Sequence, residues 1–242
     1  MRKLLIACAS LTLVFAVQAA AADRPGGFDR TGCVADQSPP REDIELWCQP
    51  TNCSGAFASN VDLGTFGVDT ESIDDFTASS YYAVTSMAWW GVRVYDLDIE
   101  FFLVTVYRDN GNCGPDESDI VSEQTIIDFD EQPTECGYYY SYEALLDPVV
   151  MEPGGHYWLC IRAALVADPE DVYSEWYWAM HDTDVLCPAL YRSDFSGFPD
   201  WIAPNTAQPG YSPADAMAFC LYTDGLVANE RKTLGDVKKL YR

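Results

Sequence analysis

A chain of 242 residues suits one large β-domain or two small ones, and with 48% hydrophobic and 14% aromatic residues it can bury a sizeable core, which argues against disorder. Its 38 Asp and Glu against 14 Lys and Arg exclude nucleic acid as a partner of the body, because phosphate binding needs Lys and Arg. Strong acidity fits solubility, divalent cations or a basic partner.

The bases are uneven. Arg2 and Lys3 open the chain, and Arg231, Lys232, Lys238, Lys239 and Arg242 close it, so only seven face the 36 acids of residues 23 to 228. Residues 1–22 read as a secretory signal peptide: a basic start, an apolar run from Leu4 to Val17, and small residues from Ala19 to Ala22 with cleavage expected before Asp23. The run is short for a membrane span and no stop-transfer cluster follows it, so no transmembrane segment is expected after its removal. Leu5-Ile6-Ala7-Cys8 has the letters of a lipoprotein box, but only four apolar residues precede Cys8 and the run continues past it. Residues 23–54, with Gly26-Gly27 and Pro39-Pro40, read as an irregular N-terminal segment. A first short strand is expected at Ile44 to Gln49.

Export makes the cysteines informative. Without Cys8, eight remain: Cys33, Cys48, Cys53, Cys113, Cys136, Cys160, Cys187 and Cys220. An even count in an exported chain reads as a disulfide framework. The pairing expected is Cys48–Cys53, Cys113–Cys136, Cys160–Cys187 and Cys33–Cys220, each contributing about 2–4 kcal/mol. Zinc is the rival, disfavoured because no pair is closer than C-x4-C and there are only two His.

Residues 55–225 read as an antiparallel β-sandwich. Asp96-Leu97-Asp98-Ile99-Glu100-Phe101 alternates acid and apolar, placing the acids on the wet face of a strand. Phe102 to Val106 is apolar on both faces and predicts an interior strand. The alternation recurs at Tyr157, Leu159 and Ile161, at Trp176, Trp178 and Met180, and at Met217, Phe219 and Leu221. Turns are expected at Asp109-Asn110-Gly111, Asp147-Pro148, Pro153-Gly154-Gly155, Pro199-Asp200 and Thr223-Asp224-Gly225. Many short strands separated by turns predict an all-β, jelly-roll-like sandwich stabilised by disulfides. Residues 226–242 change character: Leu234, Val237, Leu240 and Tyr241 recur at helical spacing among bases and predict a short helical tail.

Asp74-Asp75-Phe76, Trp89-Trp90-Gly91, the strand into Tyr107-Arg108-Asp109, Gly154 to Trp158, Trp176-x-Trp178 and Asp215-Ala216 with Phe219 together resemble a group of bacterial exported β-sandwich modules, often found with surface-anchoring tails. The resemblance spans most of residues 55 to 223 and implies an exported jelly-roll-like domain, without an activity or catalytic residues. This chain has more cysteines than that group, and its basic C-terminus is not the usual glycine-rich anchor.

Three chemistries are open. Modules similar to these often hold a structural calcium ion, and Asp74 and Asp75 opening one strand with Asp215 opening the last predict a calcium set, since calcium takes carboxylate and carbonyl oxygens. The plain alternative is Asp capping its own turns. The aromatics predict a sugar platform at Tyr138, Tyr139, Tyr140 and Tyr142, or at Trp201, whereas Trp89, Trp90, Trp176 and Trp178 read as core. Hydrolysis has no motif: there is no G-x-S-x-G elbow near His156, and His181 reads as a loop residue. The expectation is therefore a non-enzymatic, secreted or cell-surface binding module for polysaccharide or a cell-envelope component, with calcium as its one expected cofactor. The alternative is a structural or adhesive surface protein with a sorting tail.

Overall fold

The strand periodicity is realised in a computed structural model, which describes residues 43–61, 69–93, 98–166, 175–182, 186–208 and 215–224. In chain order the strands are β1 Ile44–Gln49, β2 Ala56–Ala58, β3 Glu71–Thr77, β4 Tyr82–Arg93, β5 Ile99–Asp109, β6 Pro115–Ile126, β7 Asp130–Pro133, β8 Tyr139–Met151, β9 His156–Leu165, β10 Trp176–Asp182, β11 Leu190–Ser193, β12 Phe198–Ile202, β13 Asp215–Met217 and β14 Phe219–Thr223. One helical turn, α1 Pro204–Ala207, precedes β13. The signal-peptide and helical-tail expectations lie outside the described residues. Among those described, no helix is long and apolar enough to cross a membrane.

The strands form two antiparallel sheets. One has six strands in the order β12-β11-β3-β9-β5-β6. The other has eight, built on the path β1-β14-β4-β10-β13, with β8 on the free edge of β4, β7 on β8 and β2 on β10. The chain passes back and forth between the sheets (β3 to β4 to β5, and β6 to β8 to β9 to β10), the jelly-roll-like winding expected. β5 is an interior strand, between β9 and β6, as its two apolar faces require.

Between the sheets lies an aromatic core. Trp89, Phe102, Tyr142 and Trp176 are fully buried. Phe102 meets Trp89, Tyr142 and Trp176 edge-to-face at 4.9, 5.0 and 5.2 Å between centroids, geometries worth about 0.5–1.5 kcal/mol each beyond burial. Gly91 makes room for this cluster: a Cβ there would lie 2.4 Å from the Trp176 ring. Trp178 is also fully buried there, so three of the four tryptophans expected in the core lie between the sheets; Trp90, nearly as buried, faces the other way and packs with Ala88, Ala179, Ala218 and Cys220.

Several expectations change. β1 forms where a strand was expected and pairs along β14, so residues 44–49 belong to the sandwich and not to an irregular segment. Asp147-Pro148 is no turn: it lies within β8, where the register against β4 shifts between Val84 and Ser86. A bulge accommodates a proline that cannot donate to the ladder. Pro199-Asp200 lies inside β12, at the sheet edge where proline is tolerated. The turn before β12 is instead Asp194 to Gly197, with Gly197 at φ 81°.

None of the expected cysteine pairs forms. The pairs are Cys48–Cys220, Cys53–Cys136 and Cys113–Cys187, with Cα separations of 4.0, 6.2 and 5.5 Å. Antiparallel pairing of β1 with β14 puts Cys48 directly opposite Cys220, which removes both cysteines from their expected partners. Cys160 is a buried free thiol at the centre of the six-stranded sheet, opposite Ile73 on one side and Thr105 on the other. Cys33 lies outside the described residues. Three such pairs are the mark of a chain that matures under oxidising conditions.

Candidate functional site

Side chains alternate along a strand, so β3 turns Glu71, Ile73 and Asp75 to the outer face of the six-stranded sheet. Beside them β9 presents His156, Trp158, Cys160 and Arg162, β5 presents Tyr107 and Asp109, and β11 presents Leu190 and Arg192, in the register that pairs Asp75 with Trp158 and Tyr107 with Trp158. The middle of this face is apolar: Ile73, Tyr107, Trp158, Cys160, Cys187 and Leu190 pack together under Trp201. A charged cluster sits at each end.

The first cluster centres on His156. Its Nε2 lies 2.6 Å from Asp75 Oδ2 and its Nδ1 3.4 Å from Asp109 Oδ1. Asp109 is fixed by the Trp158 indole N–H at 2.8 Å and the Gly111 N–H at 2.7 Å. Burial acts upward on Asp109, but those two donors and His156 hold its carboxyl below the ordinary range. Burial raises Asp75, against the pull of His156. Asp75 also accepts the backbone N–H of Cys187 at 3.4 Å.

The second cluster is a ladder. Arg162 pairs with Asp69 at 3.0 Å and Glu71 at 3.3 Å, and Arg192 pairs with Glu71 at 2.9 Å and with Glu117. The Trp201 indole N–H donates to Glu117 at 2.9 Å, while the Arg192 guanidinium backs the ring at 4.2 Å from its centroid. Burial disfavours charge on Arg192, but Glu71 and then Glu117 outweigh it and raise the guanidinium. The result is a half-exposed indole held in one orientation beside carboxylates and guanidiniums.

The residues predicted for calcium are split. Asp75 is on this outer face, whereas Asp74 points between the sheets, where its Oδ2 accepts the Met217 N–H at 2.8 Å and a bond from Gln49. Adjacent residues of a strand cannot share one ion from opposite faces. Asp215 opens β13, opposite Asp182 of β10. Asp74 and Asp75 lie in the middle of β3 and do not open it; the link between β3 and the last strands is the bond from Met217 to Asp74.

The tyrosine run is split in the same way. Tyr138 is 77% exposed, and Tyr139 packs outward beside Trp90 and Tyr222. Tyr140 lies under the Arg93 guanidinium at 4.7 Å. Tyr142 is fully buried in the aromatic core, because the alternation along β8 turns it inward against Trp89 and Phe102. Only Trp201, of the predicted sugar-contacting residues, lies beside a charged cluster of the six-stranded sheet.

Sequence reasoning did not find Glu71, Asp109, Glu117, Arg162 or Arg192, and it set His156 aside. The available signal was scarcity: in so acidic a body each arginine has many carboxylates to choose from. All four arginines of the described residues, Arg93, Arg108, Arg162 and Arg192, are in ion pairs. No protein-family model matches the chain, and no curated protein matches it.

Proposed function

We propose that this is an exported, non-enzymatic binding module that takes a glycan on the outer face of its six-stranded sheet, at Trp201. The carrying observation is the half-exposed Trp201 indole, fixed between Glu117 and Arg192 at the end of a ladder of carboxylates and guanidiniums. An oriented aromatic face stacks on the apolar face of a sugar, and charged neighbours hydrogen-bond its hydroxyls. Export is supported by the basic and apolar opening of the chain and by three disulfides. The test is a glycan and polysaccharide screen of the disulfide-intact protein, run with calcium and with chelator. Binding to a defined sugar class that is lost in Trp201→Ala, with folding unchanged, is the expected outcome. Binding that survives Trp201→Ala removes the site, and loss on chelation alone restores the calcium question.

A second reading, a structural or adhesive surface protein, is favoured by a different feature. An open groove of about 610 Å³ runs between the end of β6, the segment to β7, and β8. It is lined by Asp128, Asp130, Glu143 and Asp147, with Ile127 and Leu145 67% and 66% exposed. Self-association that rises with concentration in sedimentation, together with no sugar binding, is the result this reading expects.

A further inference from the structure

The Cys113–Cys187 bridge is built into the His156 cluster, and its surroundings are those of a metal centre. Sulfur of Cys187, a ring nitrogen of His156 and a carboxylate oxygen of Asp75 all lie within 4.8 Å of one another. Cys113 Sγ, bonded to Cys187 Sγ, is outside that set of three and supplies the fourth donor once the bridge opens. Thiolate, imidazole and carboxylate are the ligands of tetrahedral zinc. The outer layer fits as well. A zinc-bound histidine carries a carboxylate on its other nitrogen; here His156 turns Nε2 to Asp75 and Nδ1 to Asp109, which Trp158 and Gly111 hold in place.

We propose that reduction of Cys113–Cys187 uncovers a zinc site formed by Asp75, His156, Cys113 and Cys187, with Asp109 orienting the imidazole. While the bridge is intact both sulfurs are spent, and one nitrogen and one carboxylate are too few to hold zinc tightly. The exposures set the order of reduction. Cys113 is exposed and Cys187 buried, so a thiolate of a dithiol reductant attacks Cys113 Sγ and Cys187 leaves as thiolate. The second thiol of the reductant then attacks the mixed disulfide, freeing Cys113. The reductant ends as a cyclic disulfide, two electrons have passed to the cysteines, and zinc binding expels the remaining thiol protons to solvent.

The loop need not collapse when the bridge opens. Cys113 sits at φ 53°, a left-handed conformation that non-glycine residues adopt only when their surroundings fix it. Asn110 N–H donates to Gly114 O at 2.9 Å, Asn112 N–H to Asn110 Oδ1 at 2.8 Å, and Gly114 N–H to Asp109 at 3.4 Å. These bonds are independent of the sulfur. This site is separate from the Trp201 cluster, and its test does not depend on any sugar.

The experiment titrates zinc chloride alone into the full chain, before and after treatment with a trialkylphosphine, which takes up water's oxygen as it reduces the bridge and does not compete as a dithiol would. Peptide mapping after alkylation identifies the bridge opened. Reduced protein is expected to bind one zinc ion at least 100-fold more tightly than oxidised protein, and cobalt in its place to show thiolate charge-transfer absorbance. His156→Gln weakens binding at least tenfold, and Asp109→Asn about 10–100-fold. Because full reduction also opens the other two disulfides, Cys113→Ser is the second variant. It frees Cys187 with those bridges intact and is expected to bind zinc without reductant, with circular dichroism checking its fold. Equal zinc affinity in both redox states, binding indifferent to His156→Gln, or no binding by folded Cys113→Ser overturns the proposal.

Discussion

Asp74 joins the two sheets at Met217: its Oδ2 accepts the Met217 backbone N–H at 2.8 Å, and the Gln49 amide that also donates to it reaches the Met217 carbonyl at 2.6 Å. A carboxyl is thereby sealed inside the sandwich, with its Oδ1 unpaired. Burial first, and then the charge of Asp75, raise it well above the ordinary carboxylate range.

That shift fixes a pH dependence. A carboxyl raised in the folded state gives stability that is complete below the unfolded value of about 3.9 and is lost as pH climbs towards the folded value. This group therefore makes the protein progressively less stable from pH 4 upwards. Asp74→Asn keeps an acceptor for Met217 and removes the titration, so its urea midpoint should match the parent at pH 4 and exceed it at pH 8. Asp74→Ala orphans the Met217 N–H and takes one of two acceptors from the Gln49 amide; it should cost about 2–3 kcal/mol at pH 4 and less at pH 8, because it too removes the titration. Parallel pH profiles for parent and Asp74→Asn would remove this account.

Gly91 and Trp176 make a second, purely steric prediction. With a Cβ 2.4 Å from the indole, Gly91→Ala forces the ring out of the aromatic core and should cost about 1–3 kcal/mol. Trp176→Phe shortens that ring. Combined with Gly91→Ala it should lose less than the sum of the two single costs, a coupling of about 0.5–3 kcal/mol. Additive denaturation free energies would show that the glycine is there for another reason.

Trp201 should respond to Glu117 without affecting the fold. Glu117 is half exposed, and exposed ion pairs contribute about 0–1 kcal/mol. Glu117→Ala should therefore leave stability within about 1 kcal/mol of the parent while freeing the indole. In 5-fluorotryptophan protein the Trp201 fluorine line, identified by its disappearance in Trp201→Phe, should shift and sharpen. An unchanged line would mean that Arg192 alone orients the ring.

The cysteines provide the fourth prediction. Non-reducing peptide mapping should recover Cys48–Cys220, Cys53–Cys136 and Cys113–Cys187, with Cys160 unmodified in the native protein. Burial pushes the Cys160 thiol far up, and thiolate is the reactive form, so Cys160 should react with a disulfide reagent only after unfolding. Loss of the Cys48–Cys220 bridge should cost about 2–5 kcal/mol.

The fold was legible because its signals are periodic. Alternation at Tyr157, Leu159 and Ile161 put those side chains inward and left His156, Trp158, Cys160 and Arg162 facing out. The disulfides were not legible, because pairing depends on register: that Cys48 faces Cys220 follows from β1 lying against β14, which local spacing does not encode. Asp74 and Asp75 show the same limit. Their adjacency suggested a shared ion, and the pleat separates them. The Trp201 cluster assembles residues from β3, β6, β9, β11 and β12; the order β12-β11-β3-β9-β5-β6 puts β6 and β12 on opposite edges, and Glu117 comes from the bulge where the β5–β6 register jumps from Tyr107–Ile120 to Arg108–Asp116. In the sequence Arg162 and Arg192 are isolated charges.

The cross-link between β1 and β14 also has a mechanical consequence. Ile44 pairs with Thr223 and Cys48 with Cys220, so the flanking segments leave from the same end of an antiparallel pair. A force drawing those segments apart would unzip the few residues outside the bridge and then reach a covalent bond. Tension would pass from one flank to the other through Cys48 and Cys220, bypassing the 171 residues between them. Tension applied between the two flanks would therefore leave the outer face of the six-stranded sheet in its shape.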